Sequence, residues 1–220
     1  WSQALQEAGI QTYLGSSSAF VVPSTGIGDG FSEFESGEKA WPINNMESML
    51  PPLETWLSNV GDQPFLAMLH VMNAHDPYFA PDAVAGTWID PDGVPFPENG
   101  SSEAQQDSIH QGMNTNPTDT RQGVIDVYDE EILGLDQAMQ KLTEMLEEHG
   151  LLDHTVIVLT ADHGETLGDR GEPMFGHGNS LAHEQLRIPL LLQNPHLTPD
   201  VISCVASNMD TFPTLVRMMG

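Results

Sequence analysis

Thr155-Val156-Ile157-Val158-Leu159-Thr160-Ala161-Asp162-His163-Gly164-Glu165 is the stretch on which the fold turns. Its first six residues are apolar and β-branched, the composition of a strand, and the chain then breaks into an acid, an imidazole and a glycine. Upstream, Tyr128, Ile132, Leu135, Met139, Leu142 and Leu146 recur at alternating spacings of four and three up to Gly150, which predicts a long amphipathic helix. Farther upstream, Phe65 to Met72 is apolar apart from His70 and is bounded by Gln63-Pro64 and Asn73, so it reads as a strand buried on both faces. Strand, helix and strand in that order predict a βαβ unit and an α/β fold, with a largely parallel sheet flanked by helices.

Outward from this unit, Met46, Met49, Leu50, Leu53, Trp56, Leu57 and Val60 have helical spacing and stop at Gly61. Ser2 is a candidate cap for a first helix through Leu5 and Ala8, which Gly9 ends before the extended Ile10 to Leu14. Residues 16–37 read as a loop anchored by Phe20, Val21, Val22, Phe31 and Phe34. Residues from about 80 to 119 read as an irregular insertion rich in Pro, Gly, Asn, Asp and Ser. Ile188 to Leu192 predicts a short buried strand, and Asp210, Pro213, Leu215, Val216 and Met218 the capped start of a last helix.

The chain has 220 residues, enough for one large domain that buries roughly 70% of its extended surface. It carries 32 acidic and 6 basic residues, a formal charge of −26, which argues against nucleic acid or an anionic membrane as a partner. No apolar run is long enough to span a membrane. Acids such as Glu33, Glu35, Glu38, Asp82, Asp90, Asp92, Asp129 and Glu130 are spread along the chain and read as a surface property. A surface so charged repels itself in dilute buffer and is tolerable where salt shortens the Debye length to about 3 Å, which points to a halophilic source. The single Cys204 excludes an internal disulfide and is expected to be an ordinary buried thiol. The sequence opens on Trp1 and closes on Gly220 directly after a helical pattern, so it reads as one domain incomplete at both ends.

Ligands of open α/β sheets sit beyond the carboxyl ends of the strands. Two polar groups fall there: Asp162-His163-Gly164-Glu165, and Asn73-Ala74-His75-Asp76-Pro77-Tyr78. Adjacent Asp162 and His163 offer an oxygen and a nitrogen to one cation, although Asp162 capping a turn beside a surface His163 fits the spacing equally. His75 precedes a Pro-stiffened turn, where a solvated loop histidine fits as well, and glycines flank His177, allowing either close approach to an anion or a metal or a flexible surface turn. His70, inside a strand, reads as a hydrogen-bonded core histidine.

The order Thr160-Ala161-Asp162-His163-Gly164-Glu165, Leu167-Gly168-Asp169, Gly176-His177-Gly178 and Arg187-Ile188-Pro189-Leu190 resembles the C-terminal motif of the sulfatase family, within the alkaline-phosphatase-like superfamily. The resemblance extends upstream through Tyr128 and Asp136 to His75-Asp76-Pro77-Tyr78, and downstream to Met209-Asp210-Thr211-Phe212-Pro213. It implies a metal-dependent hydrolase of small-molecule or glycan sulfate esters. Asp162 and His163 would bind the divalent cation, usually calcium, with magnesium or manganese as alternatives. His75 would be the catalytic residue at the leaving-group oxygen, His177 would contact the sulfate group, and Glu165 would stand behind these groups.

Sulfatase chemistry also uses a formylglycine made from a Cys or Ser in a Cys/Ser-x-Pro-x-Arg motif, which this sequence lacks. The nucleophile is therefore expected in an N-terminal segment preceding these residues, and the present chain alone is expected to be inactive. Ser16, Ser17, Ser18 and Ala19 stand where many sulfatases have Gly-Lys-x-His, which leaves the substrate class open. The alternatives are a phosphoester or phosphonate hydrolase or phosphotransferase of the same superfamily, or a noncatalytic binding module on this fold.

Overall fold

A computed structural model describes residues 2–36, 45–89, 102–169, 175–178 and 180–219. Glu38, Asp90 and Asp92, named above, lie outside the described residues, as does the 90–101 part of the expected insertion. In chain order the structure has α1 (Ser2–Glu7), β1 (Gln11–Ser16), β2 (Glu33–Ser36), α2 (Met46–Val60), β3 (Phe65–His70), α3 (Ser102–Thr115) and α4 (Pro117–Glu148). It continues with β4 (Ile157–Thr160), β5 (Thr166–Leu167), β6 (Phe175–Gly176), α5 (His183–Leu186), β7 (Leu190–Gln193) and α6 (Asn208–Met219). The fold is α/β, as the sequence predicts. β2, β1 and β3 form a parallel sheet in that order, with Gln11 opposite Phe65 and Ser16 opposite His70.

The core forms where α2 and α4 pack on this sheet. Tyr13 of β1 meets Met46, Leu50, Leu53 and Leu57 of α2 and Ala138, Leu142, Met145 and Leu146 of α4. The stripe predicted on α4 thus supplies Leu142 and Leu146 to the core, with Leu135 and Met139 packed against it. α2 begins on Asn45, whose side chain accepts the Ser48 N–H, while Asn73 beyond β3 accepts the Met46 N–H at 3.0 Å. Two orphan donors of the first turn are satisfied in this way, one of them by the loop that carries His75.

Several expectations are corrected. Among the described residues β4 pairs with β7, antiparallel, so no β3–β4 ladder closes the predicted βαβ unit. β3 is exposed at Ala67 and Met68, because its recorded partner is β1 on one side. β7 is exposed along its length, where a buried strand was expected. The expected loop at 16–37 contains β2, and its Phe20 projects into solvent while Val22 is buried. The expected irregular insertion contains α3, and α4 starts at Pro117. Polar composition hid α3, which buries only a narrow line through Gln105 and Ile109. Ser2 lies within α1 and its hydroxyl donates to the Asp29 carbonyl. Cys204 is exposed, because the segment around it, with Val201, Ile202 and Val205, does not pack on the core. Glu130 is fully buried and Glu131 nearly so, removing Glu130 from the surface acids.

Candidate active site

The carboxyl ends of β1, β3 and β4 lead into the polar segments. At β1 the three serines are buried. The Ser16 hydroxyl lies 3.0 Å from His70 Nδ1, and Ser17 Oγ accepts the Met72 N–H at 2.9 Å. They tie the ends of β1 and β3 together, and His70 is the hydrogen-bonded histidine expected; burial pushes its pKa below the ordinary value. At β3 the chain turns through Ala74, whose φ of 65° is costly for a residue with a Cβ, and through a cis Asp76–Pro77 peptide. At β4, Thr160 and Ala161 are bonded to Asn208 at the start of α6, which fixes the strand end before Asp162.

Three imidazoles converge from these segments. The His75 and His177 ring centroids are 4.7 Å apart, and His163 stacks on His177 at 4.0 Å. Asp162 joins the group through His163, with its Oδ1 at 3.7 Å from His163 Nε2, and its side chain is mostly exposed. Glu165 approaches His177 Nδ1 at 3.2 Å, with its own side chain only 4% exposed. The structure therefore brings His75, Asp162, His163, Glu165 and His177 into one region, although 102 positions separate the first from the last. Asp76 is there too: one donor atom from each of His75, Asp76 and His177 lies within 4.8 Å of the others, a spacing open to a metal ion. In the sequence, Asp76 falls in the polar group beyond Phe65 to Met72 but is given no role of its own.

Electrostatics in this region follow from burial. Desolvation pushes the Glu165 carboxyl up to about 8, with Asp76 adding to the effect, and the His177 imidazole is lowered first by desolvation and then by His163. Both shifts favour a neutral pair sharing one proton.

Two glutamines organise the surroundings, and neither sequence spacing nor motif singled them out. Gln185 of α5, 5% exposed, accepts the Gly178 N–H and donates to Thr166 Oγ1, while its carbonyl accepts the Gly164 N–H at 2.8 Å. It thereby joins the His163 turn to the His177 turn. Gln105 of α3 accepts the Tyr78 N–H and donates to the Tyr78 carbonyl, both at 2.8 Å, holding the His75 loop from the other side. Their only sequence signal is a side-chain amide, which is common on surfaces.

An α/β fold with imidazoles and carboxylates gathered at its strand ends defines the class of protein. The sulfatase family model matches residues 2–220, and the chain belongs to the sulfatase family. It is 33% identical over 89 residues to choline-sulfatase of Rhizobium meliloti, covering 39% of this chain and 16% of that protein. It is 34% identical over 83 residues to the low-salt glycan biosynthesis sulfotransferase Agl7 of Haloferax volcanii, covering 36% of this chain and 20% of that protein. Among solved structures, a Bacteroides fragilis protein described as a sulfatase, yidJ, superimposes with a TM-score of 0.71 at 21% identity, covering 100% of this chain and 55% of that one. The phosphonate monoester hydrolase of Silicibacter pomeroyi gives a TM-score of 0.62 at 20% identity, covering 90% and 53%. These likenesses show the alkaline-phosphatase-like fold. The matches thus span about half the length of the solved proteins and a fifth or less of those two curated relatives.

Proposed function

We propose that these residues form part of the active site of a metal-dependent hydrolase of sulfate esters, small-molecule or glycan. The observation that carries the reading is the convergence of His75, His163 and His177 from separate segments of the fold. His75 protonates the departing ester oxygen as the sulfur–oxygen bond breaks. His177 contacts the sulfate oxygens; the anion favours its protonated form, and Glu165 holds Nδ1 so that the ring keeps its orientation. The covalent nucleophile, a formylglycine in this reading, comes from an N-terminal segment outside the present residues.

Asp162 and His163 fit a divalent cation: carboxylate oxygen and imidazole nitrogen are 3.7 Å apart, and the exposed carboxylate is accessible to further ligands. Calcium or magnesium suits the oxygen, and the nitrogen extends the set towards manganese. When bound, such an ion would neutralise charge on the ester oxygens.

The test uses the full-length protein with nitrophenyl sulfate and an alkyl sulfate. Asp162→Ala is expected to lower turnover of both by about 10²-fold or more, as loss of an oxyanion-stabilising element does. His75→Ala is expected to suppress alkyl sulfate turnover by about 10²-fold while sparing the aryl ester, whose leaving group departs without a proton. Wild-type activity of Asp162→Ala, or equal loss on both esters in His75→Ala, would overturn these roles. The likeness to a phosphonate monoester hydrolase supports a second reading, phosphonate or phosphate ester hydrolysis, and a phenyl phosphonate ester in the same assay distinguishes the two.

A further inference from the structure

Neighbouring Glu130 and Glu131 on α4 are both buried, and each is spent on backbone N–H groups of the segment beyond β3. Glu130 accepts from Gly86, Trp88 and Ile89 at 2.8–3.1 Å. Glu131 accepts from Ala74 through Oε2 and from Phe79 through Oε1, the latter at 2.5 Å. These two donors bracket His75 and Asp76. One rigid planar carboxyl group, carried on a 32-residue helix, therefore sets the separation between the two ends of the turn that presents His75. It also holds Ala74 at its φ of 65°, a conformation that persists only where the surroundings over-determine it. Gln105 fixes Tyr78 within the same turn, so α3 and α4 grip it from two sides.

We infer that Glu131 is the positioning residue of His75: it touches neither substrate nor the reacting atoms but fixes the turn that aims the imidazole at the ester oxygen. The inference rests on the proposed role of His75 as proton donor. A shift of about 1 Å in a positioned group can cost about 10²-fold in rate, so loosening this turn is expected to mimic loss of His75. Burying a carboxyl group is costly, and an apolar residue would fill the volume more cheaply, but it would leave the Ala74 and Phe79 N–H groups buried without acceptors.

The experiment compares Glu131→Ala, Glu131→Gln and His75→Ala in the full-length protein by two readouts. In kinetics, Glu131→Ala is expected to lose about 10²-fold in kcat on an alkyl sulfate, with KM within about twofold and nitrophenyl sulfate nearly unaffected. Glu131→Gln keeps one acceptor oxygen and is expected to recover about tenfold of that loss, and it serves alone should the alanine variant fail to fold. In hydrogen exchange, both variants are expected to exchange faster across residues 72–80 and to match wild type across α2. Unchanged exchange across 72–80 in Glu131→Gln overturns the inference whatever the activity. So does an equal kinetic loss on both esters when His75→Ala separates them. If His75→Ala does not separate the esters, the proposed role of His75 fails, and exchange alone then decides whether Glu131 holds the turn.

Discussion

At Gly164 a single hydrogen atom decides whether the site can assemble. A Cβ there would lie 2.0 Å from the Glu184 carbonyl oxygen and 3.1 Å from that of Arg187, so the constraint is close backbone approach. The turn after β4 must press against α5 for the Gly164 N–H to reach the Gln185 carbonyl, and that contact places His163 on His177. Gly164→Ala is expected to destabilise by about 1–3 kcal/mol, the range for forced overpacking. A urea midpoint equal to wild type would contradict this. At the end of β1, Ser16 and Ser17 close the sheet end through His70 and Met72.

On the scale of elements, α4 connects the hydrophobic core to the site. Its C-terminal half packs on α2 and β1, its middle places Glu130 and Glu131 under the segment beyond β3, and its Arg121 reaches the Gly168 carbonyl after β5. Burial pushes the Glu131 carboxyl up to about 8, against the pull of the Phe79 and Ala74 N–H groups, and Glu165 adds to the rise. A carboxyl whose native pKa exceeds its unfolded value stabilises the fold most below the unfolded value, near 4.5. That contribution fades as pH rises and is lost through about 8. Glu165 shifts the same way, so the difference between proteins is the informative quantity. Glu131→Gln is expected to show a smaller fall in Tm between about pH 5 and pH 8.5 than wild type. Parallel Tm profiles would refute the assignment.

Over the whole molecule the charge of −26 is opposed by few cations. Among the described residues Lys141 meets Glu47 at 2.5 Å and Arg121 meets Asp169 at 3.3 Å, both pairs largely exposed and individually weak. Stability in dilute buffer therefore works against self-repulsion, and we propose that the protein is adapted to high salt. Its Tm is expected to rise from about 0.1 M to about 2 M potassium chloride as the Debye length shrinks. A flat or falling Tm would count against the adaptation. No helix among the described residues is long and apolar enough to cross a membrane.

The sequence by itself determined what repeats or follows a local rule. The stripe of α4, the α2 periodicity, the stop at Gly9 and the strand composition of Phe65 to Met72 and Thr155 to Thr160 all express side-chain period and backbone preference, and each marks an element or its end. Placing His75, Asp162, His163 and His177 near one another was legible too, because each of the four follows a strand end or lies on a glycine-flanked turn. Only the tertiary structure decided what depends on distant partners. α3 looked irregular because its stabilisation comes from burying Gln105 and Ile109 against α4 and the Tyr78 turn. Glu130 looked like a surface charge because nothing local tells an exposed carboxylate from one sunk beneath three backbone N–H groups 41–44 residues upstream. β4 was paired wrongly because periodicity identifies a strand but not its neighbour, which long-range hydrogen bonding and packing select.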